Sequence, residues 1–325
     1  MFIVLFAALF SLALVAVIAG VIFQAVARAR DARRYPPPGQ LVDVGGHRLH
    51  LYCTGEGRPT VVMDAGLPGT SLSWRLVQIE VARFTRVCSY DRAGLGWSDP
   101  SPNPRTSQRI VEELHALLTN AGIEPPYLLV GHSFGGFTVR LYAARYPHEV
   151  VGMVLVDAIH PSEWLDITAA RKKQIDRLAR QSRRTAWLAR MGVVHLYFFL
   201  VRVGIRKVKD DRGMISALKK LPAELLPIVR GFWMRPKTYE AVASQLQFLP
   251  ESARQVDTTG DYGDIPLVVL SASNADPIRV AEQDRVARLS SNGKHIVASN
   301  SGHWIQLEQP ELVVEAIREL IKPGW

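Results

Sequence analysis

The 325-residue sequence predicts an α/β fold on a mostly parallel, doubly wound sheet, and three features carry that prediction. Short apolar runs alternate with helical stretches from residue 60 onward. The runs are apolar throughout rather than at every second residue, the pattern of strands covered on both faces. One long helical insertion interrupts the alternation, and one uncharged apolar segment precedes it. With 48% hydrophobic and 21% charged residues, the chain can bury a core and is not a disordered one.

The apolar segment, residues 1–27, contains no charged side chain and only Ser11 and Gln24 as polar ones. As a helix it reaches ~40 Å, against ~30 Å of bilayer hydrocarbon. Nothing basic precedes it and the run is long for a secretory leader, so we expect a retained transmembrane anchor. The small-x-small triplet Ala27-Arg28-Ala29 keeps a cleaved leader and secretion as the alternative. Arg28, Arg30, Arg33 and Arg34 follow the span, which predicts a cytoplasmic body. Residues 28–39, ending in Tyr35-Pro36-Pro37-Pro38-Gly39, read as a basic, Pro-rich linker.

The folded body is expected over 40–158 and 264–325, with a helical cap over 159–263. Leu41–Val44 and Arg48–Cys53, joined by Gly45-Gly46, read as a hairpin. Further strands are expected at Thr60–Met63, Arg86–Tyr90, Tyr127–Val130, Gly152–Val156, Leu267–Leu270 and His295–Ala298. Helices are expected at Leu72–Ala82, Ser107–Ala121, Phe134–Tyr146, Val280–Leu289 and Glu311–Ile321. Cys53 and Cys88 sit in separate apolar runs and read as buried thiols rather than a bridge.

The insertion holds the chain's basic character. Between Pro161 and Gln255 there are 19 Lys/Arg against 8 Asp/Glu, so the net charge of +9 belongs to this segment and the rest is slightly acidic. That distribution argues against a nucleic-acid partner. Beside the apolar run Met191–Leu200 it suggests a cap leaning on an anionic membrane, with ordinary solvated helices as the alternative. No Cys/His spacing suits a metal, and no Gly-rich loop carries the Lys-Ser/Thr of a phosphate cradle, so no cofactor is expected.

The chemistry is concentrated in Gly131-His132-Ser133-Phe134-Gly135, which fits G-x-S-x-G between a strand and a helix. A serine on so sharp a bend needs neighbours without Cβ atoms, and it needs a base. Of nine histidines, His303 follows the last strand at the sheet edge where Ser133 opens, whereas His132 should point away. The acid that orients His303 is expected to be Asp276, after Leu267–Leu270. Asp157, at the end of Gly152–Val156, is the alternative. Backbone amides of Phe134 and of Leu67, in the Gly/Pro turn after Thr60–Met63, are the expected oxyanion donors.

With these residues the chain resembles bacterial serine hydrolases of the α/β-hydrolase fold superfamily. The similarity lies in "GHSFGG", in "DRAGLGWS" (91–98) and in "SGHWIQLEQP" (301–310), and it covers about Leu41–Asp157 and 263–325. Many relatives have His-Gly where this chain has Ala65-Gly66, and the loop Ser271–Asp276 lacks the glycine usual before the acid. Asp91, Arg92, Gly94 and Gly96 are expected to shape the floor of the site. The resemblance implies hydrolysis of an ester or related acyl bond of a lipophilic small molecule. Carbon–carbon bond hydrolysis, thioester cleavage and peroxyacid formation use the same triad, and a membrane-tethered binding protein on a retired hydrolase fold is the alternative outside catalysis. Epoxide and haloalkane chemistry would call for an aspartate nucleophile.

Overall fold

The computed structural model describes residues 1–206, 210 and 213–321; a few residues of the cap span and the 322–325 end lie outside it. The chain begins with α1 (Phe2–Arg34), then β1 (Gln40–Asp43), β2 (Arg48–Thr54), β3 (Thr60–Asp64), α2 (Arg75–Val81), β4 (Val87–Tyr90) and α3 (Ser107–Asn120). Next come β5 (Tyr127–His132), α4 (Gly135–Arg145) and β6 (Val150–Val156). The insertion is helical: α5 (Ala169–Arg190), α6 (Val193–Arg202), α7 (Met214–Leu218), α8 (Leu226–Trp233), α9 (Pro236–Gln247) and α10 (Leu249–Asp257). The chain then returns through β7 (Leu267–Ala272), α11 (Pro277–Ala287), β8 (Gly293–Ala298), α12 (Ile305–Glu308) and α13 (Pro310–Leu320).

The strands form one eight-stranded sheet in the order β1-β2-β4-β3-β5-β6-β7-β8. The β1–β2 and β2–β4 pairs are antiparallel and the others parallel. Strand side chains alternate between two cores. Leu129, Leu155 and Val269 pack with Leu114 and Tyr142 on one face. Leu128, Val130, Val154 and Val268 pack with Val77 and Ile317 on the other. Both sets are fully buried, which is why the strands read as continuous apolar runs. Truncating one, as in Leu129→Ala, should cost about 2–5 kcal/mol.

Two expectations need correction. Cys53 and Cys88 are Cα partners across β2 and β4 and are joined in a disulfide. They lie 35 residues apart with β3 between them in sequence, so only the strand order brings them together. Residues 28–34 are also not linker but the last turns of α1. Alanine and arginine are good helix formers, and the helix stops just before Pro36, where proline disfavours helix in the residue ahead.

Candidate active site

Strands β5, β6 and β7 end side by side, and the loops at those ends build the site. Ser133, immediately after β5, has φ +52°, and Asp157, immediately after β6, has φ +38°. They are the only non-glycine residues with positive φ among the described residues, a costly conformation that collects at functional sites. The glycines around Ser133 are dictated by space. A Cβ on Gly131 would lie 2.6 Å from the Gly135 carbonyl oxygen, and one on Gly135 would lie 2.3 Å from that of Asp64. A Cβ on Gly66 would lie 2.9 Å from that of Ser133, so the loop after β3 touches the elbow.

Ser133, Asp157 and His303 line one cleft of about 780 Å³. His303 Nδ1 lies 2.5 Å from Asp157 Oδ2, and this carboxylate is almost fully buried. Burial works to raise the Asp157 carboxyl. The His303 hydrogen bond, the Arg279 charge and the Ala272 amide outweigh it and hold the group below the usual carboxylate range. An ionised Asp157 accepts from Nδ1–H and leaves Nε2 of His303 with its lone pair. Arg279 also donates to the Asp157 carbonyl oxygen at 3.2 Å. Ser133 and His303 are not hydrogen-bonded to each other in this conformation.

Asp276 stands elsewhere in the same cleft and does not reach His303. It is the exposed N-cap of α11, its Oδ1 accepting from the Arg279 amide at 2.9 Å. The carboxylate that reaches His303 is that of the alternative, Asp157, and not that of the expected Asp276. The reason is local: Pro277 starts a helix directly after Asp276, and the carboxylate is spent closing its first turn. The order Ser, Asp, His along the chain is unchanged.

His132 is buried beneath His303 and supports it. Its Nε2 donates to the His303 carbonyl oxygen at 2.8 Å, and its Nδ1 accepts from Gln306 Nε2 at 3.2 Å. Burial, with His303 close by, lowers its pKa to about 3, so the ring stays neutral.

The two expected oxyanion amides, Leu67 and Phe134, make no hydrogen bond to another protein group among the described residues. What holds the Leu67 loop is Arg92, a residue the sequence placed only in the floor. Its guanidinium is buried and donates to the carbonyl oxygens of Ala65 at 2.6 Å and Gly66 at 3.0 Å, and to Asp64 Oδ1 at 3.0 Å. The same group stacks 5.0 Å from the centre of the Phe134 ring. The Gly66 carbonyl and the Leu67 amide belong to one trans peptide and point in opposite directions, so fixing the first aims the second. Asp91 pins the surrounding floor, accepting from the Ser71 amide at 2.7 Å, the Trp97 amide at 2.9 Å and His50 Nδ1 at 3.0 Å.

The cap closes the cleft with Glu163, Trp164 and Arg171, which sequence reasoning did not single out because an irregular helical insertion carries no register. Among the described residues there is no cluster of His, Cys, Asp and Glu suited to a metal.

A family model described as the alpha/beta hydrolase fold matches residues 59–310. The chain is 38% identical over 272 residues to the uncharacterized protein YqjL of Bacillus subtilis, covering 82% of this chain and 85% of that one. It is 26% identical to the 2-hydroxy-6-oxo-2,4-heptadienoate hydrolase of Pseudomonas putida, covering 87% and 96%. It spans about half the length of several other curated relatives. Among solved structures, a laboratory-evolved variant of potato epoxide hydrolase superposes with a TM-score of 0.68 at 18% identity, covering 86% and 97%.

Proposed function

This chain belongs to the α/β-hydrolase fold family, and from that premise we propose that it is a serine hydrolase cleaving an ester or related acyl bond. The observation that carries the reading is Ser133, held at positive φ on the elbow, in one cleft with the Asp157–His303 pair. His303 Nε2 takes the Ser133 proton as Oγ attacks the carbonyl carbon. The amides of Leu67 and Phe134 receive the oxyanion, and Asp157 stabilises the imidazolium. The leaving group departs with the proton, and water releases the acyl group by the same route. Arg92 and His132 are positioning residues, the first for the Leu67 peptide and the second for the His303 loop. Ile159 and Trp164 beside Arg171 and Arg279 suit a molecule with an apolar body and a polar end.

The epoxide-hydrolase likeness bears on the fold, while Ser133 stands where that chemistry would call for aspartate. The Pseudomonas putida relative makes carbon–carbon bond hydrolysis the second reaction to assay, with thioester cleavage and peroxyacid formation after it. A fluorophosphonate probe separates all of these from a non-catalytic binding protein: it should label wild type at Ser133 and not Ser133→Ala. An unlabelled wild type, beside a serine hydrolase that does react, rejects the enzyme reading.

We place the catalytic body at a membrane, anchored by α1, and on its cytoplasmic side because of the four arginines after the span. The Cys53–Cys88 disulfide favours the opposite side, since such bonds persist in oxidising compartments. Protease protection of the body in sealed inside-out and right-side-out vesicles decides between them.

A further inference from the structure

Among the described side chains from Met1 to Ala19, all are exposed, and all but Ser11 are apolar. At Gly20 the helix meets the cap. A Cβ on Gly20 would sit 2.1 Å from the Met191 carbonyl oxygen, and one on Gly192 would sit 2.9 Å from that of Gly20. The two backbones touch there, as small residues permit between helices. The contact continues with Phe23, edge-on to the His195 ring at 5.3 Å, and with Gln24 Nε2, which donates to the Met234 carbonyl oxygen at 3.1 Å. The anchor is thus packed into the cap as one of its helices rather than hung from it.

This contact fixes a depth. Gly20 lies about 27 Å along the axis from Phe2, close to the ~30 Å thickness of bilayer hydrocarbon. With the exposed stretch before Gly20 taken as the part in lipid, the start of α6 falls level with the edge of the hydrocarbon. From that level α6 and its flanks present Trp187, Leu196, Tyr197, Phe199, Val203 and Ile205 outward, all exposed. Soluble monomers rarely leave so large an apolar patch uncovered. Exposed arginines flank it along the chain, Arg190, stacked 5.0 Å from the Trp187 ring, then Arg202 and Arg206; Arg28, Arg30, Arg33 and Arg34 are exposed on α1.

We propose that α6 and the end of α5 lie in the headgroup–acyl boundary of an anionic bilayer, beside α1, so that span and cap form one membrane-seated unit. Continuity with the span, the shared depth and the flanking arginines all select lipid as the occupant. The proposal rests on the anchor reading above and not on the Ser133 chemistry. It has a geometric consequence: Arg171, at the start of α5, lines the catalytic cleft, and Trp187, at the bilayer, lies about 24 Å further along the same helix. Helix α5 sets the height of the cleft above the membrane.

The test uses the full chain in vesicles of phosphatidylcholine and phosphatidylglycerol. A fluorophore sensitive to polarity is attached to Phe199→Cys, the native cysteines being paired, and to Gln174→Cys, exposed on α5, as the control. Spin-labelled lipid should quench position 199 at least about twofold more than position 174, and aqueous iodide should show the reverse order. Equal iodide access at both positions overturns the proposal. So does cross-linking of position 199 between chains without lipid quenching, which assigns the face to a second copy. Fluorophosphonate labelling of the same samples keeps membrane seating and catalysis apart: quenched but unlabelled protein rejects the hydrolase and leaves the membrane seat standing.

Discussion

The loops that follow β6 and β7 each carry an aspartate that lines the same cleft, yet the two carboxylates have different partners. Asp157 is buried on a backbone at φ +38° and meets His303 Nδ1 at 2.5 Å. Asp276 is exposed, in extended backbone at φ −66° and ψ 159°, and closes the first turn of α11. Strain is found where the chain must aim a side chain, and the comfortable conformation is found where it only has to cap a helix. Proximity to a cleft does not separate the two; backbone conformation and burial do.

Four variants sharpen the comparison, in falling order of effect. Arg92→Lys keeps the charge beside Asp64 but cannot reach both carbonyls with one ammonium. We expect kcat to fall about 10–100-fold with KM little changed, read from steady-state kinetics with a good substrate. Equal kcat would mean that the Leu67 peptide needs no clamp. Arg279→Gln removes a cation from Asp157, and a loss of about tenfold in kcat/KM is expected if that charge helps to keep the carboxylate ionised.

His132→Asn acts on acid stability. The folded His132 binds its proton only near pH 3, whereas an unfolded histidine binds one near 6.5. As pH falls from about 6.5 towards about 3, the unfolded state takes up a proton that the folded state refuses, and stability drops. The variant should show a shallower fall of thermal midpoint across that window. A slope equal to wild type would place the charge change elsewhere. Asp276→Ala is the smallest perturbation: about 1 kcal/mol lost with the N-cap, and turnover within about twofold of wild type.

Much of this architecture is legible in the sequence because it rests on local rules. The elbow around Ser133 needs glycine at 131 and 135 for steric reasons, and a strand before it and helix after it are visible as apolar runs. His303 stands out because it follows the last strand. What stays hidden depends on strand order or on loop backbone. Asp157 directly follows β6 and Asp276 lies four residues past β7, and nothing in the sequence ranks one above the other until one turns to positive φ. Cys53 and Cys88 face one another only because β2 pairs with β4. Arg92 is visible in "DRAGLGWS", but nothing in the spacing says that its guanidinium holds the Ala65 and Gly66 carbonyls. In the cap, composition reveals the charge and the apolar run; the contact at Gly20 and Gly192 needs the fold.

The central claim is that Asp157, through His303, activates Ser133. Its most direct test is the rate of fluorophosphonate labelling of Ser133 in Asp157→Asn and Asp276→Asn, each in the full chain. An amide at 157 keeps the shape but holds the imidazole in the wrong tautomer, and labelling should slow by about 10³–10⁴-fold. The Asp276→Asn protein should label at close to the wild-type rate. Slow labelling of Asp276→Asn beside fast labelling of Asp157→Asn would contradict the account.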